Sequence, residues 1–285
     1  MIATGKILQA RHRPLATWYR GLVAPSIILS VLIAGVSGVG IFYDDFYQYE
    51  SINWQLQAGG QDLVDLFVLV PLLAVCAVSL RLNKRVGVMI LAGALLYTVY
   101  TFMVYCFDVH FNRLFAMYCL VLCLSIYSLL YLFYHYLAQG VRQAAMNIFP
   151  FRLIGIFFIV ISLAFAALWL SEIVPAILHN QPPANLRIIN LPTNPVHVLD
   201  LALLLPGIFS CGILLFFKKR IGYLLAPVFL VFFILMDLTI ALLTVILKTQ
   251  GQDGSFVLAA GMIALALISL VLFLAGLKSI LYEHK

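Results

Sequence analysis

Residues 63–107 read LVDLFVLVPLLAVCAVSLRLNKRVGVMILAGALLYTVYTFMVYCF. Two apolar runs, 63–80 and 86–107, flank the turn Arg81-Leu-Asn-Lys84-Arg85, which carries three positive charges. A helix needs about 20 mostly apolar residues to cross the hydrocarbon of a bilayer. Both runs meet that length and the turn is too short to fold alone, so the pair reads as two membrane spans joined on one side. Extending the reading outward gives eight spans: 22–42, 63–80, 86–107, 114–136, 153–178, 198–217, 221–247 and 256–277. The expected fold is all-α, a polytopic membrane protein of about eight transmembrane helices.

Composition points the same way. Of 285 residues, 64% are hydrophobic and only 10% charged, with mean hydropathy +1.09. A soluble domain keeps roughly 25% of its residues charged, so the solvent of this chain is lipid. The first apolar run is span-length and lacks a small-x-small cleavage site, so it reads as a span and not as a signal peptide. Five cysteines form no C-x-x-C pair, which argues against a disulfide-exchanging enzyme.

Charge placement gives an orientation. Fourteen Lys and Arg fall on one side, in the turns Arg81–Arg85 and Lys218-Lys219-Arg220, in Arg142 and Arg152, and in both tails; Arg113, Arg187 and Lys248 fall on the other. That asymmetry puts the basic side and both termini in the cytoplasm. It also accounts for the net charge of +6 without nucleic acid as a partner. The acids do the reverse: all but Glu283 lie on or near the outer side, several of them inside spans.

A shift of 135 residues lays the chain on itself. Asp65 meets Asp200, Pro71 meets Pro206, Cys76 meets Cys211, Lys84-Arg85 meets Lys219-Arg220, and Gly87 meets Gly222; nine of 24 positions from Val64 to Gly87 are identical. The expectation is a 4+4 internal repeat: a cytoplasmic tail 1–21, a first four-helix unit 22–136, a linker 137–152, a second unit 153–277 and a tail 278–285. An even number of spans per unit relates the halves by an axis along the membrane normal. Pro71 and Pro206 each remove one i→i−4 bond and are expected to kink spans 2 and 6.

Asn194-Pro-Val-His197-Val-Leu-Asp200 holds the densest local signal. Asn194 is a good N-cap and Pro195 suits the first helical position, so span 6 starts there. His197 and Asp200, spaced i, i+3, share a face near the positive helix end. They are candidates for holding a proton, a metal or a substrate, against the plainer role of pinning the helix start. Asp237 lies within span 7, where a charged acid costs roughly 2.5–3.5 kcal/mol and by default faces the bundle interior. Glu172, near the outer end of span 5, is a weaker candidate. In the turn Asp108-Val-His110-Phe-Asn112-Arg113, His110 and Arg113 are placed beside the mouth of the Asp65/Asp200 region. His110, His197, Asp200 and Asp65 are the candidate metal ligands; no cofactor is indicated. Tyr127, Tyr131 and Tyr134, with Tyr97 and Tyr100, form stripes that suit packing and an aromatic belt better than a quinone or lipid slot. Ala34-x-x-x-Gly38 reads as a close helix-packing face.

The stretches Asn194–Leu201 (NPVHVLDL) and Phe111–Phe115 (FNRLF) resemble segments of an uncharacterised group of bacterial polytopic inner-membrane proteins. The resemblance implies a bacterial inner-membrane setting and no particular substrate. Three functions fit the residues. One is a transporter or permease with an outward-facing acidic site (Asp65, Asp200, Asp237, with His197) for a proton or a small polar or cationic substrate. Another is an outer-face membrane enzyme, metal-dependent or not, acting on a lipid-linked substrate. The last is a non-catalytic accessory factor whose loops 43–61 and 179–194 hold a membrane-protein partner or a second copy.

Overall fold

The computed structural model describes residues 17–43, 45–82, 84–139, 149–183, 186 and 191–281. The tail before residue 17, most of the 137–152 linker, the middle of the 179–194 loop, and the charges Asp44, Arg142, Arg187, Glu283 and Lys285 lie outside the described residues.

Among the described residues eight helices are long and apolar enough to cross a membrane: α1 (Trp18–Phe42), α2 (Ile52–Arg81), α3 (Val86–Asp108), α4 (Phe115–His135), α5 (Pro150–Leu178), α6 (Pro195–Phe216), α7 (Arg220–Thr249) and α8 (Phe256–Ser279). No strand occurs among the described residues. The chain is a multi-pass, all-helical membrane protein. Successive spans alternate in direction, which gathers the basic turns at one end of the bundle and the acid-rich connections at the other.

Packing follows chain order. α1 lies against α2 and α4, and α3 against α2 and α4; α5 lies against α6 and α8, and α7 against α6 and α8. The two groups meet along α3 and α7, the most enclosed spans. Gly93 makes that seam close: a Cβ there would lie 2.5 Å from Val231 Cβ and 2.8 Å from the Val228 carbonyl oxygen. A second glycine seam joins α5 to α6, where Gly155 and Gly212 each sit against the other's carbonyl.

The two prolines act through the turn before them. Asp65–Leu69 and Asp200–Leu204 are single π-helical turns, followed by Val70-Pro71 and Leu205-Pro206. A proline ring clashes with the carbonyl four residues back. Widening the preceding turn relieves the clash, and the Val70 N–H then bonds to Asp65 O and the Leu205 N–H to Asp200 O. Each wide turn therefore begins at an aspartate. Turns of this kind are frequent at functional sites.

Two sequence expectations need correction. α2 begins at Ile52, not at 63, because Ser51 caps it by accepting from the Trp54 N–H at 3.2 Å. Residues 52–61 are thus helix, not outer loop; their glutamines hid the helix from a hydropathy reading. Gly38 is not a packing face, since a Cβ there would touch nothing within 4 Å. The close approach on α1 is at Gly40, against the Asp62 carboxylate.

Candidate functional site

At the acidic end, α2, α3, α5, α6, α7 and the start of α8 enclose a cavity of about 550 Å³. Its mouth carries Asn53, Asn194 and Asp253, which lie near the helix ends, and Asp253 is exposed. Among the described residues four carboxylates line it: Glu172, Asp200, Asp237 and Asp253. Among the described residues no Lys, Arg or His lines it. The remaining wall is largely aromatic and aliphatic, including Trp54, Tyr100, Trp169 and Phe232.

Asp200 is held from two sides. One oxygen accepts the Tyr100 hydroxyl of α3 at 3.0 Å, the other the indole N–H of Trp169 of α5 at 2.8 Å. The Asn194 cap fixes the start of the same helix by accepting from Val196 and His197 N–H at 2.9 and 3.3 Å. His197 and Asp200 share the predicted helix face, yet both lean on α5. The His197 ring packs on Trp169 with centroids 4.6 Å apart, and its Nε2 lies 4.0 Å from Glu172 Oε2. His197 itself does not line the cavity.

Asp237 is different. It is 2% exposed, it lines the cavity, and its Oδ2 accepts no hydrogen bond among the described residues. It sits twelve residues before the end of α7, about 18 Å of helical rise below the acidic end. Trp54 Nε1, also in the wall, is a buried donor without an acceptor among the described residues. A buried polar atom without a partner in a folded protein calls for an explanation, and a functional role is among the usual ones.

Asp65 is not in the cavity but behind its wall. Fully buried, it accepts from Gln61 Nε2 at 2.9 Å, while its Oδ2 has no partner among the described residues. Gln61 also donates to the Tyr97 hydroxyl at 2.7 Å, and Tyr97 meets Thr239 Oγ1 at 2.8 Å. Thr239 uses its own proton on the Leu235 carbonyl, so Tyr97 is the donor to Thr239. Asp62, one turn earlier and fully buried, accepts the hydroxyls of Tyr47 at 2.6 Å and Tyr105 at 2.9 Å. Burial and then the neighbouring Asp62 push the Tyr47 phenol well above its usual range, which keeps Tyr47 a proton donor. Gln61, Tyr105 and Thr239 all face the cavity, so two hydrogen-bonded bridges connect its wall to the Asp62/Asp65 pair.

Of the α3–α4 turn Val109 lines the cavity, but His110 and Arg113 do not. The buried Glu50 carboxylate accepts the backbone N–H of His110 at 2.7 Å and meets its Nδ1 at 2.9 Å, clasping this turn to the 43–51 connection. Arg113 is exposed and forms no ion pair among the described residues. His110 turns to Glu50 and Asp65 to Gln61, while His197 and Asp200 both rest on Trp169, so the four do not meet at one point. Among the described residues no group of three or more His, Cys, Asp or Glu converges as a metal would require.

The tyrosine stripes divide. Tyr97 and Tyr100 belong to the site, whereas Tyr127 and Tyr134 face outward and Tyr131 bonds to the Trp18 carbonyl at 3.1 Å. Sequence reasoning missed Asp62, Trp169, Gln61 and Tyr105. Spacing held a signal for the first and third: Gln61 and Asp62 each lie about one helical turn before Asp65. Compared with family models, curated proteins and solved structures, the chain matches none of them.

Proposed function

We propose that this protein is a permease-like transporter whose cavity opens to the outer face of a bacterial inner membrane and takes up a small polar or cationic solute. The observation that carries the reading is the cavity itself: among the described residues it has four carboxylates and no basic residue, roofed by six helices within the span of a bilayer. Intramembrane acids facing a cavity mark substrate or proton pathways by default, because their burial is costly. The basic turns lie at the opposite end, which by the positive-inside rule turns the cavity outward.

The same reading treats α1–α4 and α5–α8 as two like units. Supporting it are the π turns that start at Asp65 and Asp200, 135 residues apart, and the like packing order within each group. At the α3–α7 seam Gly93 touches Val228, which is also 135 residues away. Equivalent residues meet in this way where a two-fold axis passes between like halves. Transporter sites commonly lie at such an interface between repeats. The metal-dependent enzyme fits less well, because its four candidate ligands diverge.

Flux in proteoliposomes tests the function. Solutes from three classes (organic amines, inorganic cations and neutral polyols) are applied to the purified protein on a solid-supported membrane. A sustained solute-driven current or radiolabel uptake is expected from at least one class in the wild type, falling to background in Asp200→Asn and Asp237→Asn. Silence of all three classes in protein that keeps its thermal transition overturns transport.

A further inference from the structure

Resting on that reading, we infer that the cavity is built for an organic monocation: an ammonium group seated at Asp237, carried on an apolar or aromatic body. The carboxylates differ in what they have left to give. Asp200 already takes one hydrogen bond on each oxygen, Glu172 faces His197, and Asp253 sits exposed at the mouth. Asp237 alone combines deep burial with no hydrogen-bond partner among the described residues. A ligand that brings a positive N–H donor or a quaternary nitrogen to this point supplies the missing partner.

The walls specify the rest of the molecule. Cations are attracted to the faces of Trp, Tyr and Phe, and cages of such rings are the usual recognition device for alkylated ammonium groups. Tyr100 and Phe232 are in ring contact at 5.7 Å, and Trp169 stands beside them on the Asp200 carboxylate. A volume of about 550 Å³ falls in the range of pockets for whole organic ligands. A hydrated inorganic ion needs neither that volume nor an aromatic lining. An anion is opposed by four carboxylates with no basic side chain in the described lining.

The test is equilibrium binding to the purified full-length protein, followed by quenching of intrinsic tryptophan fluorescence and by calorimetry. The probes are benzyltrimethylammonium, phenethylammonium and tetraphenylphosphonium, with neopentylbenzene as the neutral counterpart of the first. At least one cation is expected to bind, neopentylbenzene is not, and Asp237→Asn is expected to weaken the cation by about 30-fold or more, the scale of a lost charge-assisted contact. Because Asp237 holds no other group in place among the described residues, the variant keeps its thermal transition, which separates a binding role from a structural one. Equal binding of neopentylbenzene, or undiminished cation binding in Asp237→Asn, overturns the organic-cation assignment and leaves the transport reading standing. Failure of all three cations overturns the assignment as well. If flux is then found for polyols or inorganic ions the transport reading survives, and if it is found for nothing both fall.

Discussion

Asp62→Leu is expected to destabilise the protein by about 2–6 kcal/mol, because it takes the carboxylate acceptor from two buried hydroxyls at about 1–3 kcal/mol each, Tyr105 keeping only a long 3.4 Å contact to the Ala58 carbonyl. Leucine branches at the same carbon as aspartate and fits the same space, so the loss is one of hydrogen bonding more than of volume. Tyr47 and Tyr105 each donate to this carboxylate, and Gly40 of α1 packs directly against it. Asp62 therefore ties α1, α2, α3 and the 43–51 connection at one point. Removing all three polar partners together should recover most of the loss, since replacing both sides of a buried hydrogen bond by apolar groups is nearly neutral. Thermal unfolding in detergent of Asp62→Leu and of the triple variant Tyr47→Phe/Asp62→Leu/Tyr105→Phe checks both statements. A single variant as stable as the wild type would remove Asp62 from the set of structural ties.

Gly93→Leu is the second large effect. Even a Cβ at this position meets Val231 and the Val228 carbonyl at less than van der Waals separation, and both neighbours belong to a packed helix that cannot turn aside as a flexible side chain would. Overpacking of this kind costs about 1–3 kcal/mol and occasionally more. Here the strain falls on the seam between the two four-helix groups, so α3 must move away from α7. The movement pulls Tyr97 from Thr239 and Tyr100 from the Phe232 wall. The variant should therefore lose solute binding together with stability. Gly38→Leu, at a position where a Cβ has open space, should change neither. Paired thermal melts and binding isotherms make the comparison, and equal behaviour of the two glycine variants would contradict the role given to the seam.

The spans were legible because hydropathy is a bulk property that survives any detail of packing. The start of α6 was legible because Asn194-Pro195 is a local chemical signal, complete within four residues. Asp237 stood out because its insertion cost does not depend on its neighbours. Other features were not local. The N-terminal part of α2 reads as loop when polarity is averaged, since Gln55, Gln57 and Gln61 lower the hydropathy of residues that a Ser51 cap folds as helix. The partners of Asp200 come from α3 and α5, and no sequence spacing joins Tyr100 or Trp169 to it. Spacing alone suggested that His197 and Asp200 work together, whereas both rest on Trp169 instead. Likewise His110 is captured by Glu50, sixty residues away, which a reading of its own turn could not foresee. The proline pair at 71 and 206 did predict a disturbed helix, and only the backbone shows the disturbance to be a π turn starting at each aspartate.

The central claim is that the acidic cavity opens to the outer face. Substituted-cysteine labelling tests it most directly, using Gln57→Cys in the cavity wall and Lys219→Cys at the basic end, each in a background without the five native cysteines. A membrane-impermeant maleimide should label Gln57→Cys in intact cells and fail to label it in inverted membrane vesicles, with Lys219→Cys showing the opposite pattern. Labelling of Gln57→Cys only from the cytoplasmic side would contradict the orientation, and with it the account of an outward-facing site.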